Sequence, residues 1–320
     1  MSGASSLADA ARLLGEARAA RWTFPTSSGR PVLPDTPAWA ERLLAQRAAL
    51  GAAAASFSRV GDSEKAVELA AHTWRVWVLA HDEARGRGVL GAVLAAPGAP
   101  APSRFRALAL YGDGLLAFRL GALADSRARS QAALDMAALV SDQEAQGLAH
   151  LGLSRVALSD GDALATGSHA AAARAALREL GAAYQQSSSH LLAQAARLGG
   201  ALDDAAALFA ESLACNLALG DRGMVVVEHH NLGHVELRRG HVDAAERHFA
   251  EAEALAGDTE DPYDLALRAF NTAAITHARG DSARARALLA QAREILARTG
   301  TVLAVDDQRE LEGLERRLGR

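Results

Sequence analysis

Apolar positions along this 320-residue chain are spaced for helices, and the spacing repeats. Residues 231–256 read NLGHVELRRGHVDAAERHFAEAEALA, and residues 271–296 read NTAAITHARGDSARARALLAQAREIL. Asn231 becomes Asn271, Gly240 becomes Gly280, Ala245 becomes Ala285 and Ala252 becomes Ala292. Gly200, Gly161, Gly121 and His81 hold the same place upstream, so the six anchors are 40, 40, 39, 40 and 40 residues apart. A fixed period of this size predicts a helical solenoid: each unit is a helix pair that cannot bury its apolar face alone, so units stack and share one extended core. Within a unit, Leu232, Gly233 and Val235 fall on the first helix, Gly240 makes the turn, and Ala245, Phe249 and Ala252 follow on the second. The small residues permit close crossing, and Phe249 fills the wedge between helices. The A-x3-F spacing recurs at Ala205 and Phe209, and weakens to Ala285 with Leu289 and to Thr166 with Ala170.

Outside the repeats, residues 6–20 read as an amphipathic helix and 23–37, TFPTSSGRPVLPDTP, as a loop. Asp35, Thr36 and Pro37 make a helix start, a capping residue followed by proline in the first turn. One helix then runs over 37–59 to Gly61, and another over 63–80 carries Trp74 and Trp77. The stretch Ala96–Pro102, APGAPAP, separates the first helix pair from the second, and 303–318 form a last charged helix suited to capping the open end of a stack. The division expected is 1–60 N-terminal helices and capping segment, 61–300 repeats, and 301–320 capping helix.

Composition narrows this picture. Half the residues are hydrophobic but only 4% are aromatic, so the core is built from Ala and Leu. A net charge of −4 argues against a general nucleic-acid binder. Positive charge is nearly all Arg, since Lys65 is the only lysine; the Ala, Arg and Gly bias fits a GC-rich bacterial genome. Cys215 is the only cysteine, which excludes an intrachain disulfide and is expected to be a small buried residue. The N-terminus lacks the pattern of a secretory signal, and no stretch is apolar enough to span a membrane, so a cytoplasmic protein is expected.

Leu232, Gly233, Ala245 and Phe249 match the tetratricopeptide pattern W-x2-L-G-x2-Y…A-x3-F…P. His229 stands for its Trp, Glu236 for its Tyr and Gly257 for its Pro, and the period exceeds the usual value of about 34 residues. Residues 36–318 further resemble the C-terminal repeat region of bacterial STAND-type ATPase regulators, including LuxR-type and SARP-like transcription factors; 36–121 resemble their entry segment, with its GD turn and Trp-rich helix. The resemblance implies an all-α fold: a tetratricopeptide-like right-handed superhelix, an α-solenoid of about six helix pairs with flanking capping helices. In that family the repeat region is a sensor or docking module controlling an ATPase. Here the only lysine sits in SEKAV, so the chain has no GK[ST] phosphate loop, and there is no room for a separate helix-turn-helix.

In tetratricopeptide stacks the first helix of each pair lines the concave groove. Carried onto this sequence, the groove positions are Arg75, Tyr111, Leu115, Phe118, Arg119, Arg155, His190, Gln194, Arg197, His230, Asn231, His234, Arg238, Phe270, Asn271 and His277. Arg recurs among them and carboxylates are scarce, which suits an anionic or carboxylate-bearing ligand, a peptide among them. His230 and His234 share a helical face in EHHNLGH with His229 beside them, and His190 holds the equivalent place one unit earlier. Three imidazoles can hold Zn²⁺, but the pattern is not HExxH and no carboxylate completes it, so no metal and no cofactor are expected. Glu236 is expected to pair with an Arg of a neighbouring unit. No nucleophile–base spacing is present and no catalytic residue is assigned. The expected function is non-catalytic recognition of a peptide, protein segment or small ligand, without nucleic acid or membrane. The alternative is a small-molecule-binding protein or enzyme with its pocket inside the superhelix, centred on His190, His230, His234 and Glu236. A third reading is a scaffold that self-associates, as a homodimer, through the segment around Trp74.

Overall fold

The computed structural model describes residues 6–20, 38–96, 102–303 and 305–319. The predicted loop 23–37, the helix start at Asp35, Thr36 and Pro37, and residues 97–101 of the break lie outside them. Sixteen α-helices and no strand are found among the described residues: α1 (Leu7–Ala19), α2 (Ala38–Ala45), α3 (Arg47–Arg59), α4 (Ser63–Leu79), α5 (Glu83–Leu94), α6 (Arg104–Arg119), α7 (Leu123–Leu139), α8 (Gln143–Asp160), α9 (Ala163–Ala176), α10 (Ala182–Gly199), α11 (Leu202–Leu219), α12 (Arg222–Arg238), α13 (Val242–Ala256), α14 (Pro262–Ala278), α15 (Ser282–Thr299) and α16 (Val305–Leu318).

Helices α4–α15 form six pairs whose turns fall on the six sequence anchors. Gly121, Gly161, Gly200, Gly240 and Gly280 all have φ between 74° and 92°, and His81 takes φ 51° in the same role. That left-handed conformation ends a helix sharply and is open to glycine without strain. Asp residues just past such turns cap the next helix: Asp162 accepts from the Ala165 amide at 2.9 Å and Asp281 from the Arg284 amide at 3.0 Å. The single helix expected over 37–59 is instead two, because the chain breaks at Gln46. Gln46 leaves the helical run to donate to Glu16 on α1.

Packing within a pair follows the small-against-large logic of the repeat. A Cβ added to Gly233 would stand 2.4 Å from the Phe249 ring, so the aromatic wedge on α13 fits only against a bare α-carbon on α12. Trp74 and Trp77 are 1% exposed and belong to the core, where Trp74 meets Tyr111 edge-on at 5.4 Å. These two rings therefore offer neither a ligand wall nor a surface for self-association. Cys215 is half-buried on α11, short of the full burial expected.

The apolar core is not continuous. One cluster runs from α1 to α10, another joins α14 and α15 to Leu303, Leu311, Leu314 and Leu318 of the C-terminal segment, and two small ones lie between, around Phe209 with Leu232 and Val235 and around Phe249 with Ile275. Between them α12 carries buried polar groups: Glu228, His230, Asn231 and His234 are all under 9% exposed. Helix α16 seals the last pair with its leucines and turns its other face into the concave side. There Arg309 reaches the Leu158 and Ser159 carbonyls at the end of α8, about 150 residues away in sequence. Among the described residues, no helix is long and apolar enough to cross a membrane.

Candidate functional site

The polar seam on α12 is the place where the repeat gives up apolar packing, and burying polar groups is tolerated only where they are bonded. Glu228, wholly buried, accepts from His190 Nδ1 at 2.9 Å and from the Ser212 hydroxyl. Arg197 donates to Asn231 Oδ1 at 3.2 Å, and Arg238 donates to the Arg197 carbonyl at 3.1 Å. These bonds tie α10 to α12 along the inner face.

One turn further, α16 contributes Asp307. Its Oδ1 lies 2.8 Å from His230 Nε2 and its Oδ2 accepts from the Tyr263 hydroxyl at 2.5 Å. His230 Nδ1 faces Asn271 Nδ2 at 3.2 Å. One tautomer satisfies both contacts: Nε2–H donates to the carboxylate and Nδ1 accepts from the amide. Burial raises the Asp307 pKa, but the bonds and charge it meets outweigh this, led by His230 and followed by Tyr263, and hold it far below the ordinary carboxylate value. His234 lies behind this group, stacked on Phe270 at 5.1 Å and edge-on to Phe249 at 5.0 Å. Burial, then the neighbouring His230, push its pKa well below the usual imidazole value.

The structure sorts the sequence-predicted groove positions into three sets. His230 and Asn271 come together around Asp307, and Gln194, Arg197 and Arg238 gather beside them under α16. Asn231 and His190 are joined to this group through the bonds above. A second set is interior and does not line the groove: Tyr111, Leu115, His234 and Phe270 are 1–3% exposed. Arg75 lies 4.2 Å from the Trp74 ring, with Tyr184 and Glu144 beside it, and Arg155 donates to the Tyr111 hydroxyl at 3.2 Å. Tightly wound Ala-rich helices leave no space there, so these side chains fill the superhelix themselves. The third set stands apart. Arg119 pairs with Glu83 at 2.7 Å, His277 meets Ser282 at the start of α15, and Phe118 is half-buried near the α6–α7 turn.

Other expectations are corrected. Glu236 pairs with Arg239 on its own helix and His241 in the following turn, both at 2.7 Å, and not with a neighbouring unit's Arg. Of the three imidazoles suggested as a group, His230 and His234 do meet, edge-on at 4.6 Å, whereas His190 turns to Glu228; His229 beside them turns to His248 at 3.0 Å. Among the described residues, no three His, Cys, Asp or Glu side chains are placed to hold a metal ion. The carboxylates thought scarce in the groove are there, but Glu228 sits beyond the predicted stripe and Asp307 comes from the terminal helix. Asp307 carried no repeat signal, and only its place in a charged helix after the last unit marked it.

No protein-family model and no curated protein sequence matches the chain. Solved structures resemble it in fold. A Rap protein complexed with competence and sporulation factor matches with a TM-score of 0.56 at 13% identity, covering 79% of this chain and 75% of that one. The apo form of RapI matches at 0.54 and 12% identity, over 97% of this chain and 82% of that one. A tetratricopeptide repeat protein from Parabacteroides merdae matches at 0.49 and 11% identity, over 86% and 98% of the two chains. The likeness to the first two establishes the fold alone: an all-α, tetratricopeptide-like right-handed solenoid.

Proposed function

We propose that the chain is a non-catalytic binding and regulatory protein whose concave face, over α10, α12 and α14, recognises an acidic segment of a peptide or protein partner. The observation that carries this reading is the seat of Asp307. His230 and Tyr263, from two different helix pairs, converge on one carboxylate delivered by a separate helical segment, and Asn271 donates to the far nitrogen of His230. Such a seat reads a carboxylate through charge-assisted hydrogen bonds. Arg197, Arg238 and Arg309 beside it supply a positive field in a chain whose net charge is −4. In this conformation the chain's own α16 takes the seat, and a partner segment competes with it. The Rap protein of similar fold, complexed with competence and sporulation factor, supports a peptide or protein as the kind of partner. The resemblance of 36–318 to the repeat region of STAND-type regulators supports a sensor or docking role in a bacterial regulatory setting.

Fluorescence anisotropy with labelled Asp/Glu-rich peptides tests this on the full chain. Asp307→Ala vacates the seat and should tighten acidic-peptide binding about tenfold, equivalent to ~1.4 kcal/mol. His230→Ala should weaken it. A basic peptide binding as tightly as an acidic one, or indifference to both substitutions, would reject the assignment.

A further inference from the structure

Beside the Asp307 seat lies a cavity of about 240 Å³, between the C-terminal ends of α8, α10 and α12 and the inner face of α16. Among the described residues lining it are five arginines, Arg197, Arg238, Arg309, Arg316 and Arg317, against a single carboxylate, Glu310. Arg238 and Glu310 stand 3.8 Å apart, a loose pairing. Part of the positive excess has a local explanation. Arg238 and Arg309 donate to backbone carbonyls at the ends of α10 and α8, and each helix end carries roughly half a negative charge. These two ends offset about one of the formal excess of four, which leaves the cavity short of roughly three negative charges. Arg316 meets Glu312 only at 4.0 Å and is well exposed, so it too remains available to a ligand.

A second observation points the same way. Gln194 is 4% exposed, lines the cavity, and its Oε1 has no hydrogen-bond donor. A buried carbonyl without a donor is unfavourable by about 1–3 kcal/mol, and a ligand hydroxyl would supply the missing bond. The volume is below the roughly 300–1,000 Å³ of pockets for drug-sized ligands, so the occupant is small. Guanidinium groups recognise phosphate oxygens in pairs, and a phosphate ester carries about −1.5 to −2 charges at neutral pH.

We propose that this cavity is a binding site for a small phosphate ester bearing a free hydroxyl, of sugar-phosphate size. The site shares Arg197, Arg238 and Arg309 with the Asp307 seat and is roofed by docked α16, so an occupant would oppose displacement of α16; direct titration without any acidic peptide tests it independently of that reading. Isothermal titration calorimetry on the full chain at fixed ionic strength tests it with glucose 6-phosphate, fructose 1,6-bisphosphate, glucose, inorganic phosphate, citrate and sulfate. Saturable one-to-one binding of a phosphate ester, with glucose silent, is expected. Arg316→Ala/Arg317→Ala alters exposed side chains and so preserves the fold, which circular dichroism verifies; it should weaken the ester at least tenfold. Gln194→Leu should weaken the ester while leaving inorganic phosphate unchanged. Absence of saturable ester binding, equal binding of sulfate or citrate, or an ester affinity unmoved by the arginine pair would overturn the proposal.

Discussion

Replacing Asp307 by alanine removes the acceptor for both His230 Nε2–H and the Tyr263 hydroxyl. A buried donor left without a partner costs about 1–3 kcal/mol, which falls on His230, and the half-buried Tyr263 hydroxyl loses a further bond. They need not stay buried. Helix α16 is only lightly packed on α14 and α15, and lightly packed elements open locally at free energies well below that of global unfolding. Undocking α16 lets water reach His230 and Tyr263, so the loss should fall on the docking of this helix and leave the solenoid intact. A loss of about 3 kcal/mol raises the local opening constant about a hundredfold. The remaining anchors are the leucines of α16, the donation of Arg286 to the Leu318 carbonyl at 2.7 Å, and the Arg293–Glu315 pair at 2.8 Å. Hydrogen exchange read by mass spectrometry should therefore show protection over 305–318 falling about a hundredfold, with α4, α6 and α8 unchanged. Asp307→Asn retains one acceptor and should fall between alanine and wild type. Unchanged protection in α16, or an even loss across all helices, would refute the reasoning.

Gly233→Ala gains about 1 kcal/mol of helix propensity but sets a Cβ 2.4 Å from the Phe249 ring, an overpacking worth about 1–3 kcal/mol; the urea midpoint should drop, and Phe249→Leu in the same chain should restore it. Trp74→Ala empties a wholly buried site against Gly112 and Tyr111 and should lower stability by about 3–5 kcal/mol in urea unfolding. Acid should destabilise the protein well before its carboxylates protonate. His234, His229, His248, His150 and His169 all have pKa values lowered chiefly by burial, so the unfolded chain binds these protons more readily than the folded one. Stability should be fully present above the ordinary value of 6.5 and fall as pH drops below it, whereas the contribution of Asp307 persists to below 3.8. Thermal melts from pH 7.5 to 5 should show the decline, and His234→Phe should flatten it.

Local structure was legible because each unit's contacts join neighbours in sequence. A glycine every forty residues, an aspartate after the turn and an Ala-x3-Phe wedge are enough to place helix pairs, and Gly233 with Phe249 shows the pattern acting at a single contact. The groove was legible only in part. Counting repeat positions picked out His230, Asn271, Gln194, Arg197 and Arg238, each at a set place on a first helix, and the structure places them near one another. The same count also drew in Tyr111, His234 and Phe270, because period alone does not distinguish a position facing a groove from one facing a close-packed Ala-rich interior. What the sequence by itself determined is the repeating helix pair. Only the tertiary structure decided what meets across the concave side. Asp307 and His230 are 77 residues apart and Arg309 and Ser159 are 150 apart, in different units with no shared period. Their meeting depends on the accumulated curvature of the four helix pairs from α8 to α15, which brings α16 back over the groove.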